Sequence, residues 1–184
     1  MNQRLLKKNS AVLLIIDIQE AFRAHLADAA DLARNANIML DAAKLLDLPI
    51  IVTEQYPKGL GKTFAEISAR AGTGAHYFEK DAFSCLGADG FREHLGHLGR
   101  PQVMVCGIEA HVCVNQTVHD LLAEGYSAHL IRDAISSRSA QNKEVGLEKM
   151  TGSGAVISCV EMALFELLRI SGTDIFKAVQ KLVK

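Results

Sequence analysis

The sequence predicts an α/β fold built on a mostly parallel, six-stranded sheet covered on both faces. Three observations carry this expectation. Short apolar, β-branched runs alternate with longer segments of helical period. The runs are apolar throughout instead of alternating with polar residues, as strands buried on both faces must be. No repeat or low-complexity linker divides the chain, and 184 residues suit one domain, which buries about 70% of the surface its unfolded chain exposes.

Taken in order, the predicted strands are Val12–Asp17, Ile50–Glu54, His76–Phe78, Val103–Gly107, Ala128–Arg132 and Ala155–Ser158. Between the first two, Leu32, Ala36, Met39, Leu40, Ala43 and Leu46 share one helical face, and Pro49 ends the segment. Val114, Val118, Leu121 and Leu122 repeat the pattern, which Gly125 closes. Ser158 and Glu161 have the spacing of a capping box before a helix through Met162, Phe165 and Leu168. A last helix puts Ile175, Phe176, Val179, Leu182 and Val183 on one side. The stretch from Gln55 to about Gly74, with Pro57, Gly59, Gly61, Gly72 and Gly74, reads as irregular and as a binding loop or lid.

Composition narrows the function. Twenty basic and 21 acidic residues leave a net charge of −1, and the basic residues are scattered, so nucleic acid and anionic membrane are poor partners. The longest apolar stretch near the start, Ala11–Ile16, is too short for a signal core or a membrane span. Four cysteines without paired spacing read as reduced thiols. A cytoplasmic protein acting on a small molecule is the expectation.

In an open parallel sheet, ligands bind outside the carboxyl ends of the strands. That rule selects Asp17, Glu54, the Glu79–Lys80–Asp81 group, the segment from Gly107 to Cys113, and Asp133. Cys113 follows the Val-Met-Val-Cys-Gly strand and opens a helix, where unpaired N–H groups favour a thiolate; a buried, inert cysteine is the competing reading. Asp17 is placed to act as a general base, although Asp17 with Glu20 also has capping-box spacing. Lys80 alone would pass for a solvated charge. Together a carboxylate, an ammonium and a helix-start thiol at three strand ends form a set suited to nucleophilic catalysis. Cys106 belongs inside a strand, whereas Cys85 borders the same region.

Two patterns lead nowhere. Gly61-Lys62-Thr63 resembles the end of a phosphate loop, but Tyr56 stands where that loop needs glycine. The histidines offer no metal spacing: His111 and His119 are two turns apart, and His94 with His97 reads as a solvated helix face.

Four motifs occur in order: Ile-Ile-Asp-Ile-Gln, Thr-Glu-Gln-Tyr-Pro-Lys-Gly-Leu-Gly, Phe-Glu-Lys-Asp-Ala-Phe-Ser-Cys and Cys-Gly-Ile-Glu-Ala-His-Val-Cys-Val. Through them the chain resembles the isochorismatase-like cysteine hydrolase superfamily over nearly its whole length, closest to the isochorismatase domain-containing hydrolases. The resemblance implies a Rossmann-like three-layer α/β/α sandwich and an Asp-Lys-Cys triad at Asp17, Lys80 and Cys113. It also implies a cis peptide at Ile108–Glu109 that aims the Glu109 and Cys113 N–H groups at one oxyanion. Phe22, Tyr56, Phe83 and His111 are the expected pocket walls.

Two departures from the superfamily bear on substrate. Nicotinamidases carry an Asp-x-His metal motif after the second strand, where this chain has Thr53-Glu54-Gln55-Tyr56-Pro57, so no metal and no cofactor are expected. Isochorismatases cleave a vinyl ether and need no cysteine nucleophile. The implied reaction is hydrolysis of a C–N bond in a small amide, carbamoyl or ureido compound through a thioester. The alternatives are an isochorismatase-type or other non-amide hydrolase, a binding protein that keeps the triad, and a thiol redox pair of Cys113 with Cys85. Apolar surface on the two last helices predicts a homo-oligomer.

Overall fold

A computed structural model describes residues 4–184. Six strands form one sheet: β1 (Ala11–Ile16), β2 (Ile50–Gln55), β3 (Ala75–Lys80), β4 (Gln102–Gly107), β5 (Ser127–Ile135) and β6 (Val156–Ser158). Every neighbouring pair is parallel, and the order β3-β2-β1-β4-β5-β6 is that of a Rossmann-like doubly wound sheet. The helices are α1 (Ala29–Leu45), α2 (Pro57–Leu60), α3 (Ala65–Ala71), α4 (Phe91–His97), α5 (Asn115–Ala123), α6 (Ala140–Gly152), α7 (Val160–Leu168) and α8 (Asp174–Gln180).

The strand alternation sorts the core into two layers. Leu13, Ile15, Ile50, Val52, Met104 and Cys106 face α1, α3, α7 and α8, while Leu14, Ile16, Ile51, Val103 and Val105 face α4, α5 and α6. Strands flanked by helices on both sides bury both sets of side chains, which is why β1 is apolar throughout and β2 turns polar only toward its carboxyl end. Where the strand order reverses, β1 lies beside β4, with Ile16 opposite Gly107. A Cβ on Gly107 would sit 2.2 Å from the Ile16 carbonyl oxygen, and its φ is 137°, so only glycine lets the chain leave β4 this close to β1.

Five details differ from the sequence expectation. The Gln55–Gly74 stretch is not an irregular lid: it holds α2 and α3, with Phe64, Ile67 and Ala71 buried. Its glycines sit at the ends of short helices, which sequence spacing alone reads as loop. The helix α6 went unpredicted, because only Gly146, Leu147 and Met150 of it are buried, too thin a stripe to show a period. The strand β5 runs on to Ile135, so Asp133 lies within it, and the Asp133 carboxylate accepts the Val160 N–H at 2.9 Å. That bond does the capping expected of Ser158, which ends β6 instead. His94 is not on a solvated face: it stacks on His76 with ring centroids 4.0 Å apart and meets Phe78 edge-on.

Candidate functional site

The site forms at the carboxyl ends of β1, β2, β3 and β4, across the reversal of strand order. Asp17 follows the last residue of β1 with φ 51°, a left-handed turn closed by the Gln19 N–H on the Asp17 carbonyl at 2.8 Å. That turn points its carboxylate along the strand ends instead of into a helix cap. Lys80 is the last residue of β3, opposite Gln55 in β2.

The two side chains meet in the dark of the fold. Lys80 Nζ lies 2.6 Å from Asp17 Oδ2, and their side chains are 0% and 1% exposed. The ammonium is held further by Gln55 Oε1 at 2.7 Å and by the Phe83 and Ala82 carbonyls at 3.0 and 3.2 Å. Asp17 Oδ1 accepts the Thr53 hydroxyl at 2.7 Å. A buried ion pair is tolerated only when its remaining donors and acceptors are satisfied, and these four contacts satisfy them.

Cys113 sits in a wide helical turn, Ala110–Val114, that runs straight into α5. It is 7% exposed. Burial pushes its thiol above the ordinary range, and the Asp17 charge pushes it further; Lys80 pulls the other way without prevailing. The helix start therefore does not leave a resting thiolate, as the sequence suggested, because desolvation and a nearby carboxylate outweigh it. The same arrangement gives the thiol proton a destination.

The turn carrying Cys113 is pinned from three sides. The Ile108–Glu109 peptide is cis. The Ala110 N–H donates to the Ser136 carbonyl at 2.9 Å, and the Val114 N–H donates to the Glu109 carbonyl at 3.2 Å. The Glu109 carboxylate faces away and takes the Arg138 backbone N–H and Nε, both at 3.0 Å. Burial alone would raise the Glu109 carboxyl, but Arg138 more than offsets it and holds it below the usual range.

The remaining expected residues divide. Tyr56 lines a cavity of about 350 Å³ beside Lys80, with Lys58, Asp81 and Asp89. Phe83 is exposed next to the carbonyl that holds Lys80. His111 lies within the turn that carries Cys113, its Nδ1 3.1 Å from the Ser137 hydroxyl. Phe22 packs against the core layer that holds α1. Glu54 is structural: it binds the Thr63 N–H at 2.8 Å, the Thr63 hydroxyl at 2.9 Å and Lys62 Nζ at 3.0 Å. Among the described residues, no three His, Cys, Asp or Glu side chains converge as a metal cluster.

Sequence reasoning missed Gln19, Thr53 and Gln55. Gln19 Nε2 spans the Gln55 and Gly61 carbonyls at 2.9 and 2.7 Å, while Gln19 Oε1 takes the Gln55 N–H at 2.8 Å. A signal was available: Thr53 and Gln55 are polar at positions two apart in an otherwise buried strand, so they share the face that meets Asp17 and Lys80.

Comparisons with known proteins agree with the fold. The isochorismatase domain family model matches residues 11–162. A secreted isochorismatase effector, Isc1, of Phytophthora sojae is 40% identical over 179 residues, covering 96% of this chain and 85% of that protein. Isochorismatase domain-containing protein 2 of Danio rerio is 37% identical, covering 97% of this chain and 89% of its own length. The solved structure of the MAR1 ribonuclease from Caenorhabditis elegans superposes with a TM-score of 0.92 at 34% identity, covering 97% of this chain and 92% of that one.

Proposed function

The chain belongs to the isochorismatase domain family of hydrolases, and from that premise we propose that it is a cysteine hydrolase cleaving a C–N bond in a small amide, carbamoyl or ureido compound. One observation carries the reading: a fully buried Lys80–Asp17 pair at 2.6 Å whose carboxylate charge acts on the buried Cys113 thiol. A base, a fixed cation and a nucleophile meet there.

In the proposed reaction Asp17 removes the Cys113 proton as sulfur adds to the carbonyl carbon, and the former carbonyl oxygen becomes an oxyanion. The Glu109 and Cys113 N–H groups receive that charge. Collapse breaks the C–N bond, and the amine leaves with the proton held by Asp17. Water then attacks the thioester while Asp17 takes one of its protons, and the thiolate departs and recovers that proton. Lys80 keeps the carboxylate in place through both half-reactions. No metal or cofactor enters this scheme.

A vinyl-ether hydrolysis is the second reading, favoured by the name of the Phytophthora relative. The name ribonuclease belongs to the nematode neighbour. Against nucleic acid here stand a net charge of −1 and basic side chains already paired with carboxylates, among them Arg23, Arg70, Arg132 and Arg138. A panel scoring ammonia or amine release, enol-ether cleavage and RNA cleavage, run with and without chelator, tests the choice. Amine release retained with chelator and abolished in Cys113→Ala supports the proposal. Activity that survives Cys113→Ala overturns it.

The proposed setting is a reducing, cytoplasmic one, in keeping with four free thiols. No helix among the described residues is long and apolar enough to cross a membrane. A homo-oligomer is proposed from Ile157, Met162, Phe165 and Ile170, which remain exposed around α7. The helix α8 adds less than its sequence suggests, since Val179 is buried and Ile175, Leu182 and Val183 pack on the chain's own core. Light scattering at micromolar concentration should give a multiple of 20.0 kDa; the monomer mass would refute it.

A further inference from the structure

We propose that Thr53 is a positioning residue for the Asp17 base, and that the Cys85 thiol orients the Thr53 hydroxyl; the inference rests on the cysteine-hydrolase reading above. Thr53 is completely buried in β2, and its Oγ1 lies 2.7 Å from Asp17 Oδ1. An ionised carboxylate only accepts, so the hydroxyl proton belongs to this bond. Cys85 Sγ lies 3.6 Å from the same Oγ1. A hydroxyl has one proton, and that one is spent, so the second contact is made by the Cys85 S–H donating to Thr53.

Cys85 is built to stay a thiol. It is fully buried, and burial followed by the Asp17 charge pushes it up to about 12, so it keeps its proton at every working pH. Its backbone N–H donates to Thr117 Oγ1 at 2.9 Å. Thr117 lies in α5, four residues past Cys113 and therefore one turn along the same helix. A continuous path thus runs from that helix through Thr117, Cys85 and Thr53 to Asp17. It sets the carboxylate against the turn carrying the nucleophile.

The two carboxylate oxygens are divided by this arrangement. Lys80 holds Oδ2 and Thr53 holds Oδ1, so the group cannot rotate as it trades a proton with sulfur and then with water. Cys85 needs no redox chemistry for this role. It also gives a second buried thiol beside the site a reason to be there.

The test is steady-state kinetics of Thr53→Val, Thr53→Ser, Cys85→Ala and the Thr53→Val/Cys85→Ala double variant, on the compound the panel identifies. Thr53→Val should lower kcat about 10- to 100-fold, the loss expected for a hydrogen bond to a charged group, with KM nearly unchanged. Its acid limb in the kcat/KM profile should move to higher pH, because a carboxylate stripped of a donor is less stable as the anion. Thr53→Ser should restore kcat to within about 3-fold, since it keeps the hydroxyl. Cys85→Ala should cost about 3-fold alone and nothing further in the double variant, as it acts through Thr53. Wild-type kcat and pH profile in folded Thr53→Val, with Cys113→Ala inactive, would overturn this inference and leave the cysteine mechanism standing. If Thr53→Val does not fold, Thr53→Ala takes its place: a Thr53→Ser loss as large as that of Thr53→Ala, or a Cys85→Ala cost that persists in full in the Thr53→Ala background, overturns it.

Discussion

At the residue scale the proposed chemistry turns on how two charges and one thiol share a dry space. Burial first and then the Asp17 carboxylate hold the Cys113 thiol protonated, and the Lys80 ammonium opposes them. Replacing Asp17 with Asn removes the repulsive charge, so the thiolate fraction near neutral pH should rise. Iodoacetamide should then modify Cys113 faster at pH 7, by about 10-fold, while turnover is lost with the base. Lys80→Ala should slow the same modification. It should also destabilise the fold by about 3–5 kcal/mol, because Asp17 is left buried and unpaired. Peptide mapping is essential to this reading, since Cys159 is the more exposed thiol and reacts on its own account. No acceleration at Cys113 in Asp17→Asn would show that the carboxylate is not what restrains it.

At the scale of elements, the turn carrying Cys113, the proposed nucleophile, depends on a helix that no apolar period announced. A Cβ added to Gly146 in α6 would come within 2.9 Å of the Ala110 backbone, and 3.1 Å of His111 Cα. Alanine normally improves a helix interior by about 1 kcal/mol over glycine. Here the overlap is with backbone that cannot swing aside, and overpacking of this kind costs about 1–3 kcal/mol. Gly146→Ala should therefore lower the melting temperature and, by displacing the Ala110–Val114 turn, reduce activity by at least about 10-fold. Thermal melts and kinetics on the same preparation check both; a variant more stable than wild type with full activity would mean that α6 does not brace the turn. The β5–α6 connection works in concert, as Ser136 and Arg138 clamp residues 107–110 through backbone and carboxylate bonds.

For the whole molecule, acid stability follows from two buried glutamates. Burial would raise Glu54, but the Thr63 N–H, Lys62 and the Thr63 hydroxyl reverse that and hold it below the usual range; Glu109 is held down likewise by Arg138. A carboxyl lowered on folding adds stability that is complete above its unfolded value, about 4.3, and is lost as pH falls through the folded one. His94 acts in the same direction from about 6.5 downward, as burial and then the charges of His76 and His97 disfavour its protonation. The urea midpoint should fall steadily below pH 5, and Glu54→Gln, already without its charge, should lose less of it between pH 5 and 3. An equal loss in the two proteins would remove Glu54 from the account.

Sequence by itself determined the layered fold and named the three groups proposed for the chemistry. Apolar runs long enough only for strands, each followed by a helical stripe, admit a buried parallel sheet; the strand-end rule then leaves a short set of polar residues, from which the resemblance picks Asp17, Lys80 and Cys113. Tertiary structure decided the rest, for a physical reason in each case. The protonation of Cys113 depends on desolvation and on a carboxylate brought from 96 residues away, and neither is a local property of the helix start that the sequence displays. Thr53, Gln55 and Cys85 enter the site only because β2 and β3 lie in register and the loop after β3 folds back on β2. Glycines between Gln55 and Gly74 promised a loop, yet Phe64 and Ile67 found a buried face on which short helices could pack. Propensity is decided by a few neighbours along the chain, whereas burial, which sets the charge states and completes the site, is decided by residues that only folding brings together.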